Sequence, residues 1–118
     1  MQFRLLNSRT GATIAERLSV ADSILSRFRG LLFRRPLAED EALLLRPCSQ
    51  VHMFFMPYPI DVVCCSRENV VLDLQPDLKP WRVSRGVIGC KSIIELPAGT
   101  IARTDLERGD LLIVKQVS

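Results

Sequence analysis

Apolar positions along this chain come mostly in short runs separated by Pro, Gly and polar clusters, a pattern that predicts strands. Residues 3–7 and 12–18 read as a first hairpin around the turn Ser8-Arg9-Thr10-Gly11. From Ser19 the period changes. Val20, Ile24, Phe28 and Leu31/Leu32 recur at helical spacing, with the Ser19 hydroxyl as cap and Asp22 in the first turn, so a helix is expected near residues 20–32. Gly30 weakens that helix and Pro36 follows its end. Residues 42–45, 51–56, 60–65, 70–74, 91–96 and 111–117 read as further strands, and residues 104–108 as one helical turn stopped by Gly109. The fold class expected is therefore mainly β: a compact β-barrel-like or sandwich domain of about eight short strands with one principal helix, spanning residues 1–118 as a single domain.

The centre of this pattern is the pair of runs 51–56 and 60–65, joined by Pro57-Tyr58-Pro59. Two prolines without amide donors suit a connection and not a strand centre, so the pair reads as a hairpin. Both its faces are largely apolar, which predicts cover on both sides. A register symmetric about Tyr58 sets His52 opposite Cys64, and a slip of one residue would exchange the partners. Adjacent Cys64 and Cys65 must face opposite ways. Residues 70–74 add a neighbouring strand. The stretch 75–89, punctuated by Pro76, Pro80 and Gly86, reads as an irregular loop of about fifteen residues, a length at which loops are often functional. Trp81, the only tryptophan, either lids the core or takes part in a site there.

Composition changes this picture little. A chain of 118 residues with four Cys buries enough surface to fold without disulfides, and its start, Met1-Gln2-Phe3-Arg4, has no leader-like pattern, so reduced thiols and a cytoplasmic location without membrane insertion are expected. The net charge is only +3. Arg27, Arg29, Arg34 and Arg35 gather at the end of the expected helix, where cations complement the helix dipole. A solvated helix end explains them, and an anion or RNA site is the alternative. No RNA-reading aromatic motif accompanies them.

The candidate chemistry lies mostly in the central stretch. Cys48, His52 and Met56 form C-x3-H-x3-M, a set of soft metal ligands. On an extended strand, four residues span about 13 Å, so these three share one ion only if the chain bends sharply; with such a bend Cys48, His52 and Cys64 are the candidate metal set, and without it a metal would use His52 with Cys64 across the hairpin plus ligands from elsewhere. Cys64 or Cys48 with His52, oriented by Asp61, would make a thiol nucleophile, although both cysteines also read as small buried hydrophobes. Asp61 and Glu95 are carboxylates inside apolar runs, which demands amide or Arg partners. With Asp110 they serve turns, or the three converge at one mouth of the barrel. Asp110, after Gly109, reads as a turn carboxylate. The leading reading is a non-enzymatic binding or accessory module whose small ligand or protein partner meets His52, Met56, Asp61, Trp81 and Glu95. A thiol-dependent enzyme, a metal-binding protein and an anion or RNA binder at the Arg cluster are the alternatives.

Several blocks occur in a recognisable order: Gly30-Leu31-Leu32-Phe33-Arg34, His52-x3-Met56, Pro59-Ile60-Asp61-Val62-Val63, Pro80, Glu95-Leu96-Pro97-Ala98-Gly99 and Gly109-Asp110. With them, residues 12–114 resemble the prokaryotic family known as domain of unknown function 192. Met53 and the pair Cys64-Cys65 depart from that pattern. The resemblance implies a compact β-barrel-like or sandwich domain with a helix on one side, and it implies no activity, substrate or cofactor.

Overall fold

The computed structural model describes residues 2–21, 36–50 and 58–117. Within them, seven strands form a single sheet: β1 (Gln2–Asn7), β2 (Thr13–Ala21), β3 (Glu41–Leu45), β4 (Ile60–Cys65), β5 (Val71–Leu78), β6 (Ser92–Pro97) and β7 (Leu112–Val117). One short helix, α1 (Thr100–Arg103), follows β6. The order across the sheet is β5-β4-β6-β3-β2-β1-β7. Neighbours are antiparallel except β2 and β3, which run parallel. The sheet rolls until its two edges touch at one end. There Val70 bridges Leu111, Val71 N–H donates to Asp110 O at 2.8 Å and Leu112 N–H to Asn69 O at 2.9 Å. The architecture is the mainly β, barrel-like one that the apolar runs imply.

Alternation of side chains divides the core in two. The inner cluster takes Leu5, Ile14, Leu18, Leu44, Val63, Ile94, Leu96 and Leu112 from across the sheet. The outer cluster takes Leu43, Leu45, Ile60, Val62, Cys64 and Ile93 from β3, β4 and β6, with Cys48, Tyr58 and Val87 packed over it. Strand β4 is buried at all six positions because it has β5 and β6 on its flanks and a cluster on each face. Cys64 belongs to the outer cluster and Cys65 to the inner one, as neighbours on a strand must.

Three expectations are corrected. Ser19, Val20 and Ala21 do not open a helix; they continue β2 and pair with Leu43, Leu44 and Leu45, because a parallel partner from distant sequence outweighs a local capping pattern. The remainder of the expected helix, residues 22–35, lies outside the described residues, as do Arg27, Arg29, Arg34 and Arg35. The helical turn expected at 104–108 occurs earlier, at Thr100–Arg103. The irregular stretch begins later than expected, since β5 runs on to Leu78. Between Ile60↔Leu78 and Val62↔Gln75 the strand holds one extra residue, a bulge on the sheet's edge where Pro76 needs no ladder partner and Asp77 takes φ 55°.

Candidate functional site

The residues singled out in the sequence do not all meet. His52 and Met56 fall in residues 51–57, outside the described residues, and with them the His52/Cys64 pairing and the first strand of the central hairpin. Asp61 and Glu95 are both fully buried, but on opposite faces of the sheet. Asp61 sits opposite Leu96 and shares the inner face with Val63; Glu95 sits between Leu43 and Val62 on the outer face. The convergence of these two carboxylates at one mouth is therefore not what the fold builds.

Asp61 is occupied by backbone. One oxygen accepts from the amide of Asp77 at 2.8 Å, the other from Gly99 at 3.1 Å and Ile101 at 2.8 Å. The first amide belongs to the bulge of β5, and the other two to the turn that opens α1. Gly99 takes φ 96° there, a conformation glycine adopts without steric cost. A single carboxylate thus fastens the end of β4 to both flanking segments, and Ile60-Asp61 is coupled physically to Leu96-Pro97-Ala98-Gly99. Three amides satisfy a buried carboxylate that would otherwise cost several kcal/mol.

A second polar group gathers on the outer side of β5, and sequence reasoning missed it. Asp73 accepts from Arg85 Nη2 at 2.9 Å, from Arg108 Nη2 at 2.9 Å and from Gln75 Nε2 at 3.2 Å. Burial pushes the Asp73 carboxyl up, but the bonds from Arg85, Arg108 and Gln75 outweigh it and hold the carboxyl below its ordinary value. Gln75 in turn accepts from the Arg85 amide at 2.8 Å, and Gln50 Nε2 donates to Ser84 O at 3.0 Å. The alternation Asp73-Leu74-Gln75 is the one sequence signal for this network, and it does not reveal the cations. These contacts hold the loop that follows β5 from behind. Its front carries Trp81, Val83 and Ile88, which are 66%, 42% and 100% exposed. Pro80 fixes one corner of the turn, and Trp81 takes φ 66° at the next, a position that favours glycine.

Cys64 and Cys65 are poorly placed for nucleophilic work, being fully buried. Burial first, then neighbouring Cys90, pushes both Cys64 and Cys65 up to about 12. Cys48 is half-buried and donates to Gln50 O at 3.1 Å. Iodoacetamide at pH 7.5 is expected to label Cys48 and to leave Cys64 and Cys65 unmodified while a free thiol is consumed, as peptide mass spectrometry would read. Labelling of Cys64 faster than free thiol would restore the enzyme reading. No group of three His, Cys, Asp or Glu among the described residues is arranged to hold a metal ion. No helix among them is long and apolar enough to cross a membrane.

Comparison with known proteins agrees with the fold and the ordered motifs. The Pyrococcus furiosus protein named UPF0127 is 37% identical over 111 residues, covering 92% of this chain and 95% of its own. A UPF0127 protein of Thermococcus sibiricus is 34% identical over 111 residues, covering 90% of this chain and 71% of its own. The crystal structure of a protein of unknown function from Novosphingobium aromaticivorans superposes with a TM-score of 0.78 at 18% identity, over 96% of this chain and 84% of that one; it is similar in fold. The model of DUF192, described as uncharacterized ACR, matches residues 5–114, which contain all seven strands in whole or part, the Asp61 turn clamp and Gly109-Asp110. The chain belongs to the DUF192 family.

Proposed function

We propose that this protein is a non-catalytic binding module whose partner docks on the loop after β5, beside the outer face that carries Glu95. The observation that carries this reading is a loop anchored from behind yet apolar in front. Arg85 and Ser84 tie it to Asp73, Gln75 and Gln50, while Trp81, Val83 and Ile88 face solvent. Trp81 holds a backbone conformation that costs of order 1 kcal/mol or more for a bulky residue, strain of the kind kept at functional positions. In this reading Asp61 is scaffold rather than ligand contact, and the burial that pushes the Cys64 thiol up weighs against Cys64 as the nucleophile of a Cys/His enzyme.

Cross-linking tests the reading. A photoreactive p-benzoylphenylalanine installed at position 88 is expected to give a discrete adduct in extracts of the native host. Excess unlabelled wild-type protein should suppress that adduct, and excess Trp81→Gly should not. Trp81→Gly relieves the strained φ, so its thermal stability is expected to be unchanged or higher by up to about 1 kcal/mol.

A further inference from the structure

Three strands that are neighbours in the sheet, β4, β6 and β3, finish or begin on the same side, and each carries a cation there. Arg46 follows Leu45 at the end of β3. Lys91 precedes Ser92 at the start of β6. Arg67 follows the end of β4, one residue after Ser66. The backbone locks these ends together: Cys48 N–H donates to Lys91 O at 3.0 Å, and Lys91 N–H to Cys65 O at 2.9 Å. Adjacent strands stand about 4.8 Å apart, so the three side chains start from a strip roughly 10 Å wide.

These residues line a cleft of about 500 Å³ with Pro47, Ser66, Asn69 and Ser92, and no carboxylate is among them. Among the described residues, most cations elsewhere are matched: Arg4 with Glu16, Arg9 with Asp110, Arg17 with Asp40, Lys79 with Asp77, Arg85 and Arg108 with Asp73, and Arg103 with Glu39, while Arg82 and Lys115 stand singly outside the cleft. Arg46, Arg67 and Lys91 make no ion pair among the described residues. Gathering three unmatched cations in one concavity raises the local potential for an anion. A second, independent observation points the same way. Ser92 is 4% exposed, and its Oγ has no hydrogen-bond partner among the described residues, although buried hydroxyls normally find one. Ser66 Oγ accepts from Val70 N–H at 3.2 Å, which leaves its own proton available to an incoming oxygen. The Asn69 turn is fixed at φ 66° by bonds from its N–H to Ser66 O and from Leu112 N–H to its carbonyl, so the wall does not have to be ordered by a ligand.

We infer that this cleft binds a phosphate monoester of a small organic molecule. Arg46 and Arg67 supply planar forks that match phosphate oxygens, and Lys91 supplies a point charge. Ser92 supplies a donor inside the wall. The cleft is far larger than an inorganic phosphate ion, and the Pro47 ring gives an apolar surface for the organic part.

The test is an amide-resolved NMR titration of the whole chain with inorganic phosphate, phenyl phosphate and citrate, and with a short single-stranded RNA. Phenyl phosphate is expected to saturate with shifts confined to the neighbourhood of Arg46, Arg67, Asn69, Lys91 and Ser92, and to bind more tightly than inorganic phosphate or citrate. Arg67→Ala is expected to weaken it about tenfold, the loss typical of one charge-assisted bond. Arg67 sits in a turn outside the strands, so this variant is expected to fold. Ser92→Ala should weaken binding several-fold with the amide spectrum otherwise unchanged. Arg82→Ala, a cation outside the cleft, should leave it unaltered. Non-saturating shifts, affinity indifferent to Arg67→Ala, citrate binding as tightly as phenyl phosphate, or RNA binding more tightly through the same residues would each overturn the inference.

Discussion

Asp61→Asn is expected to lower the unfolding free energy by about 3 kcal/mol, and Asp61→Ala by more. The substitution leaves one acceptor and turns the other into a donor that confronts an amide. Asp61 is fully buried, and its two oxygens receive amides from Asp77, Gly99 and Ile101, so no water can take over the lost bonds. Each buried group left unsatisfied costs about 1–3 kcal/mol, and the losses here are shared among three. Against a typical stability of 5–15 kcal/mol, roughly ten degrees of melting temperature should disappear. Asp77→Gly is the control, because it keeps the amide that Asp61 holds and suits φ 55°. A melting temperature for Asp61→Asn within a degree or two of wild type would show that the clamp is not what fastens β4 to its flanks.

Asp110→Asn is expected to cost about 2–3 kcal/mol at neutral pH and to flatten the acid limb of the stability curve. Asp110 is nearly buried and accepts from Asn7 Nδ2 at 2.8 Å, Glu107 N–H at 2.8 Å and Arg9 Nε at 2.7 Å. The bond from Arg9 does most to hold its carboxyl below the ordinary value; burial opposes it, and the Glu107 amide and Asn7 assist. A depressed value in the fold means that the unfolded chain binds the proton more readily. Stability from this group is therefore fully present above the ordinary carboxylate value near 3.8 and is lost as pH falls through the lower folded value. Asp73, depressed as well, contributes in the same window. Urea melts between pH 7 and pH 2.5 should show wild type losing its advantage over Asp110→Asn below about pH 4. Parallel curves for the two proteins would contradict the assignment.

Much of the fold was legible because the sheet writes itself into short apolar runs: β1, β3, β4, β6 and β7 all lie within a residue or two of where those runs fall. What escaped was set by distant partners. Ser19, Val20 and Ala21 look like the start of a helix until β3 is laid parallel beside them. Pro76 looks like a strand breaker until the bulge opposite Asp61 gives it a place without a ladder bond. The site was legible in the same measure. Asp61 could be picked out as a carboxylate in the wrong company, yet its partners come from a bulge and a helix start well apart in sequence. Cys64 and Cys65 alternate as any strand pair does, whereas the depth that keeps their thiols protonated follows from β5 and β6 closing around β4. Arg46, Arg67 and Lys91 stand too far apart in the chain to read as a group; inserting β6 between β3 and β4 brings them together.

The reading of this chain as a binding module rests on the loop that Asp73 and Gln75 hold and Trp81 crowns. Photo-cross-linking from position 88 in competition interrogates that loop directly. One adduct, suppressed by excess wild-type protein and untouched by excess folded Trp81→Gly, is the expected result. An absence of any adduct, or an adduct that both competitors suppress equally, would contradict a docking role for this surface.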